Sequence, residues 1–255
     1  MTDQQIFSGS SLQTFLRCAK QWEYAYVYEY KRPPALRQVL GNAAHTAVET
    51  NYTQKVETRQ DLPVDSVKDV FSDTFDALVV DAIIDEEAAE TPGQAKDSGI
   101  KVIDRYQSEV APAIQPIWVE REVQFQIDDI PYSGTIDLVD ELSRVRDLKT
   151  TKRRPSGPNN YLIAMTGYAL AFRQETGEKE SEIVLDYMVR TKDPYYYPIY
   201  SDGPVSDDAI ETFVGIVEMV NQAIKEGIFL PTGLTNYACS WCGYNDICPA
   251  YRKTR

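Results

Sequence analysis

The four cysteines fall at the two ends of the chain: Cys18 near the start, and Cys239, Cys242 and Cys248 within ten residues of one another near the end. C-x-x-C spacing lets two thiolates reach one centre, and four thiolates complete either a tetrahedral zinc site or an iron–sulfur cluster. A shared site ties the first helix to the last segment, so it admits only folds in which the two ends of this 255-residue chain meet. Three thiols flanked by Trp241, Gly243 and Pro249 are hard to explain by packing alone. Four cysteines are too sparse for a disulfide scaffold, and in the cytoplasmic, reducing compartment that the lack of a membrane span and signal peptide leads one to expect, they turn attention to metal ligation or redox chemistry.

Composition narrows the class further. Hydrophobic residues at 43% and charged residues at 25% describe a globular chain rather than a disordered one. The formal charge of −13 argues against attachment to nucleic acid or anionic membrane by bulk charge, so a nucleic-acid partner needs a local basic patch. No apolar stretch approaches a membrane span, and Met-Thr-Asp-Gln-Gln lacks the features of a signal peptide. The single histidine, His45, excludes sites that need two.

The apolar period predicts an α-rich first half: helices over residues 11 to 28, 35 to 55, 64 to 84 and 101 to 110, with Asp85 to Gly99 as a mobile, acidic loop. His45 and Glu49 lie one turn apart on the second helix. From Trp118 the period changes to two, predicting a meander of three antiparallel strands, the latter two over Tyr132 to Asp140 and Arg144 to Thr150. A helix over Tyr161 to Gln174, a strand over Glu182 to Arg190 and a last helix over Val205 to Ile228 follow. Tyr195-Tyr196-Tyr197 and Tyr200 read as an edge strand or turn, with base stacking as the alternative.

Inside the meander, Gly134-Thr135-Ile136-Asp137 precedes Arg146-Asp147-Leu148-Lys149. Residues i and i+2 of a strand share a face, so Asp147 and Lys149 point together while Leu148 enters the opposite layer. A hairpin brings Asp137 toward Asp147, and two adjacent carboxylates repel unless a divalent cation such as Mg²⁺ or Mn²⁺ neutralises them. Arg144, Arg146, Lys149, Lys152, Arg153 and Arg154 supply a basic segment beside that pair, with Lys31, Arg32 and Arg37 as a weaker patch.

In this order the residues resemble the RecB-like branch of the PD-(D/E)XK nuclease superfamily, in particular its iron–sulfur exonucleases, a group that includes CRISPR-adaptation (Cas-four-type) and phage exonucleases. The resemblance runs from Ser11-x6-Cys18 through Gly41-x3-His45, Gly134-Thr-Ile-Asp137, Asp147-Leu-Lys149 and Tyr168-Ala-Leu-Ala to Cys239, Cys242 and Cys248. It implies an α/β, restriction-endonuclease-like mixed sheet flanked by helices. An N-terminal helical lobe (1–115) precedes the nuclease core (116–204), and a C-terminal helix with the cysteine segment (205–255) completes one continuous unit.

The same resemblance implies a [4Fe–4S] cluster on Cys18, Cys239, Cys242 and Cys248. It also implies Mn²⁺ or Mg²⁺ on His45, Asp137, Asp147 and the Leu148 carbonyl, with catalytic roles for Asp137, Asp147, Lys149 and Tyr168. An imidazole among oxygen ligands favours manganese. The implied activity is exonucleolytic hydrolysis of DNA that is single-stranded or has free ends, alongside a helicase, recombinase or CRISPR-adaptation partner and away from membranes. The alternative is a catalytically weak DNA-binding or adaptor protein. The family's glutamine four residues before the matched tyrosine is here Ala164, so the expectation is that a polar group such as Asn160 substitutes or that activity is reduced.

Overall fold

A computed structural model describes residues 6–82, 90–157, 161–232, 239 and 242–252. Helix α1 (Gly9–Arg17) starts at a reciprocal cap: the Ser11 amide donates to Ser8 Oγ at 3.2 Å and the Ser8 amide to Ser11 Oγ at 2.9 Å. The continuous helix expected over residues 11 to 28 is interrupted. Cys18 is extended (φ −165°, ψ 108°), the helix restarts as α2 (Ala19–Trp22), and it then loosens into a π turn over Glu23–Val27. One extended residue leaves the apolar period intact on both sides, which is why periodicity hides the break, and it places Cys18 at the N-cap of α2.

Helix α3 (Leu36–Thr58) buries Val39, Leu40, Ala43, Ala44, Ala47 and Val48. The three alanines let its axis approach the sheet closely. Helices α4 (Val64–Val79) and α5 (Pro92–Glu109) pack beside α3 and beside each other. The loop expected over Asp85 to Gly99 is corrected in its second half, where α5 already begins at Pro92, and its 83–89 portion lies outside the described residues. The cause is another reciprocal cap: Gln94 N–H donates to Thr91 Oγ1 at 3.3 Å, Thr91 N–H donates to Gln94 Oε1 at 2.9 Å, and Pro92 sits at the first helical position.

Strands β1 (Pro116–Ile127), β2 (Ile130–Asp140), β3 (Arg144–Thr151), β4 (Glu182–Val189) and β5 (Tyr195–Tyr200) form one mixed sheet in the order β1-β2-β3-β4-β5. All neighbours are antiparallel except β3 and β4, which run parallel across the crossover helix α6 (Leu162–Thr176). The tyrosine run is the edge strand β5. Helix α3 covers one face over Leu138, Leu148 and Met188, and α6 covers the other over Ile136, Val139 and Leu185. Helix α7 (Asp207–Lys225), capped by Ser206 Oγ, joins α1 and the β1–β2 hairpin in a third apolar cluster containing Phe7, Trp22, Tyr132 and Phe213. No described helix is long and apolar enough to cross a membrane.

Ala164 lies against α1. A Cβ placed on Gly9 would sit 2.7 Å from Ala164 Cα and 2.8 Å from its Cβ, so the backbones of α1 and α6 touch there. Asn160, the expected substitute, lies outside the described residues. A glutamine at 164 must push against α1 at this close contact. Ala164→Gln is expected to lower stability by about 1–3 kcal/mol through overpacking, seen as a fall in melting temperature, with no gain in any activity. A variant that melts like the parent would show that α1 can move aside.

Candidate functional site

The β2–β3 ladder ends early. Leu138 pairs with Arg146 and Val139 with Val145, but the next position, Asp137 opposite Asp147, is not paired through the backbone. The strands part here, and side chains take over the released backbone groups. The Leu148 amide donates to Asp137 Oδ2 at 3.0 Å, and His45 Nε2 lies 2.7 Å from the Leu148 carbonyl oxygen. His45 Nδ1 lies 3.6 Å from Asp137 Oδ2. Thus α3, β2 and β3 bring an imidazole, a carboxylate and a carbonyl to one point.

Glu120 completes this cluster, and sequence reasoning missed it. One ligand atom each from His45, Glu120 and Asp137 lie within 4.8 Å of one another. Glu120 sits on β1 between the Val119–Leu138 and Arg121–Ile136 pairs, which places it across from Asp137. Its φ of 44° is left-handed, an uncommon conformation for a residue with a side chain, and it is held here within a strand. Burial, then Asp137 and Glu49, push its carboxyl up to about 7.

Asp147 and Lys149 project toward α6, while Leu148 packs on the α3 side of the sheet. Lys149 Nζ approaches Asp147 Oδ2 at 2.5 Å and lies 5.0 Å from the centre of the Tyr161 ring. Lys149 is the partner of the buried Asp147 Oδ2. Burial, opposed by Lys149 and reinforced by Asp137, pushes the Asp147 carboxyl up to about 7. Burial alone would lower Lys149, but Asp147 and Asp137 outweigh it and raise its pKa, so the ammonium is retained. Tyr168 packs on Gly134, where an added Cβ would lie 3.3 Å from its ring, and burial followed by the Asp147 and Asp137 charges drives its phenol well above the ordinary range.

The carboxylates of Glu120 and Asp137 beside His45 form a donor set that suits a hard divalent cation, and Asp147 adds a further negative charge nearby. Glu49 lines the same cavity as His45, Glu120 and Asp137. On its other side Asp137 opens onto a polar groove that includes Ser8, Ser10, Glu122, Thr135 and Tyr168.

The first half of the basic segment is tied up by carboxylates, whereas Lys152, Arg153 and Arg154 are exposed. Arg144 Nε donates to Asp140 Oδ2 at 2.7 Å, Arg146 is buried against Asp186, and Lys152 pairs with Glu90 at 2.8 Å. A charge count along the chain is blind to this. Arg154 remains exposed, stacked over Tyr197 at 4.2 Å.

All four cysteines line one concavity together with Tyr24 and Tyr244. Burial, which raises the Cys18 thiol, is outweighed by hydrogen bonds from Thr232, Gln21 and Lys20 that lower it. Burial and the neighbouring cysteines raise Cys239 and Cys242, the behaviour of thiols facing one another without a cation between them.

The family model of the PD-(D/E)XK nuclease superfamily matches residues 6–249. A crystal structure from Eubacterium rectale, described as a candidate exonuclease, superposes with a TM-score of 0.61 at 13% identity, covering 98% of this chain and 88% of that one. The structure of SSO0001 aligns at 13% identity over 91% of this chain and 93% of that one, with a TM-score of 0.39. No curated protein matches the sequence.

Proposed function

Because the chain belongs to the PD-(D/E)XK nuclease superfamily, we propose that it is a divalent-metal-dependent exonuclease that hydrolyses DNA. The observation that carries this reading is the meeting of His45, Glu120 and Asp137, with the Asp147–Lys149 ion pair on the neighbouring strand. His45, Glu120, Asp137, Asp147 and the Leu148 carbonyl are the residues that would hold the cation, with manganese favoured by the imidazole. Bound there, Mn²⁺ or Mg²⁺ supplies Lewis acidity and lowers the pKa of water.

The rest is done by the chain itself. In hydrolysis a water oxygen bonds to phosphorus and the bond to the leaving nucleoside oxygen breaks, while negative charge gathers on the phosphoryl oxygens. Lys149 keeps its proton next to two carboxylates, so its part is to stabilise that charge rather than to act as a base. Tyr168 stays a neutral phenol, able to donate a hydrogen bond into the groove. Asp137 holds β3 in place through the Leu148 amide.

The four thiols from the two ends of the chain line one concavity, a donor set that completes either zinc or an iron–sulfur cluster, and the order of the motifs along the chain favours the cluster. Its role is structural, because its ligands close a loop spanning nearly the whole chain.

The test is incubation with end-labelled single- and double-stranded DNA in Mn²⁺, Mg²⁺ and EDTA. Stepwise shortening in the metals and none in EDTA is expected; binding without cleavage in every metal overturns the enzyme in favour of an adaptor of the same fold. In parallel, the purified protein is expected to be brown, absorbing near roughly 400 nm, and Cys18→Ser is expected to lose both the colour and much of the stability. A colourless, zinc-containing parent rules out the cluster.

A further inference from the structure

The chain leading from the π turn into α3 carries a ladder of aromatic rings that the nuclease site does not use. Tyr28 and Tyr30 stack with centroids 5.5 Å apart at 25°, and Tyr30 stacks in turn on Tyr24 at 6.0 Å and 17°. Tyr24 rests on Tyr244 at 5.4 Å, and the Arg32 guanidinium lies over Tyr244 at 5.3 Å. The inner half of this ladder is core: Tyr24 and Tyr244 are buried, and Tyr244 Oη donates to the Tyr30 carbonyl at 2.8 Å. The outer half is not. Tyr28 is 50% exposed and Tyr30 48% exposed: each ring is anchored on Tyr24, and Tyr28 Oη donates to Glu23 Oε1 at 3.4 Å, while about half of each residue stays open to solvent.

The backbone is shaped to present them. Tyr30 N–H reaches back to the Tyr24 carbonyl at 2.9 Å, and Glu29 between the two exposed rings is left-handed at φ 52°. A non-glycine residue held in that region at the surface stores strain that the fold must offset. Lys31 and Arg32 follow directly, both exposed; Arg32 bridges to Asp246 at 2.7 Å, and among the described residues Lys31 has no carboxylate partner. Exposed, pre-stacked rings next to a cation match the two parts of a nucleotide: the π face of a base and the phosphate between bases. A closed duplex shows no base face along its length, so the complementary ligand is a single strand.

We propose that Tyr28 and Tyr30, with Lys31, form a platform on which bases of a single DNA strand stack. This rests on the nuclease reading for its ligand. The platform precedes α3 in the chain, and the first residue of α3, Leu36, stands nine residues and about 13–14 Å along the helix from His45. It also abuts the cysteine concavity, which Tyr24 and Tyr244 line. Loss of that site should therefore loosen the platform's foundation.

The experiment is fluorescence anisotropy of the full chain with fluorescein-labelled oligothymidylate and with a duplex of equal length, without added divalent metal. Tyr28→Ala/Tyr30→Ala is expected to weaken single-strand binding by about tenfold or more and to leave duplex binding unchanged, in a protein that is still folded at the assay temperature. Tyr28→Phe should keep the affinity, whereas Tyr28→Leu should lose it, which separates stacking from greasy contact. Lys31→Ala should reduce the salt slope by about 0.7. Unchanged single-strand binding in the double variant overturns the platform, as does an equal loss for both DNA forms. A parent that cleaves DNA while the double variant binds normally removes the platform alone. A parent that neither binds nor cleaves removes the nuclease reading and the platform together.

Discussion

Asp137→Asn is expected to reduce metal-dependent cleavage by about a thousandfold, some 4 kcal/mol of transition-state stabilisation, while the metal-free protein becomes no less stable. The amide keeps the hydrogen bond from the Leu148 N–H, so β3 stays where it is. What disappears is one negative charge at the point where Glu120 and Asp147 already repel it. Both carboxyls stand at about 7 in the fold, above their ordinary values of 4.5 and 3.8. A carboxyl raised by folding contributes stability that is full below its unfolded pKa and lost as pH rises through its folded one. The metal-free parent should therefore melt progressively lower between about pH 4.5 and pH 7.5, and added Mn²⁺ should reverse that loss by binding the folded form. The variant should show a shallower fall with pH and little rescue by metal. Melting curves across pH with and without Mn²⁺, together with cleavage of labelled DNA, check each part. Near-parental cleavage removes Asp137 from the site.

Much of the site was legible because it rests on local pattern. Period-two alternation placed Asp137, Asp147 and Lys149 on adjacent strands, and the 3.6 period placed His45 on a helix, which the structure lays across that sheet. Glu120 was missed for want of one turn. The expected second strand starts only at Tyr132, whereas the hairpin closes at Ile127–Ile130 with Asp128 left-handed at φ 52°. Counting seven residues outward from that closing pair reaches Glu120 on one strand and Asp137 on the other. The Thr91-Pro92-x-Gln94 cap was equally present in the sequence, but the acidic residues before it gave the segment the composition of a loop. The Gly9–Ala164 contact and the burial of Arg146 arise only when distant elements meet, and no local pattern encodes them.

Arg146 shows what such a buried charge does, and removing it should have the largest effect on stability of any single change in the sheet. It is 2% exposed and forms two parallel bonds to Asp186, Nε to Oδ2 and Nη2 to Oδ1, each 2.8 Å; Asp186 is 1% exposed. Its Nη1 donates to Asp140 Oδ2 at 3.1 Å, and Tyr196 Oη donates to Asp186 Oδ1 at 2.5 Å, so the group joins the end of β2 to β3, β4 and β5. Arg146→Ala leaves Asp186 buried with Tyr196 as its remaining side-chain partner, a loss of about 3–5 kcal/mol, or a fall in melting temperature on the order of 10 °C. Because Arg146 directly precedes Asp147 on β3, slack at this point also displaces the Asp147–Lys149 pair, and cleavage should fall well below the melting temperature. The double change Arg146→Met/Asp186→Leu removes both charges and refills the volume, so most of the stability should return. If the single variant melts within about 2 °C of the parent, the ion pair is not what joins these strands. If the double variant is no better than the single one, the loss comes from packing and the charge has no part in it.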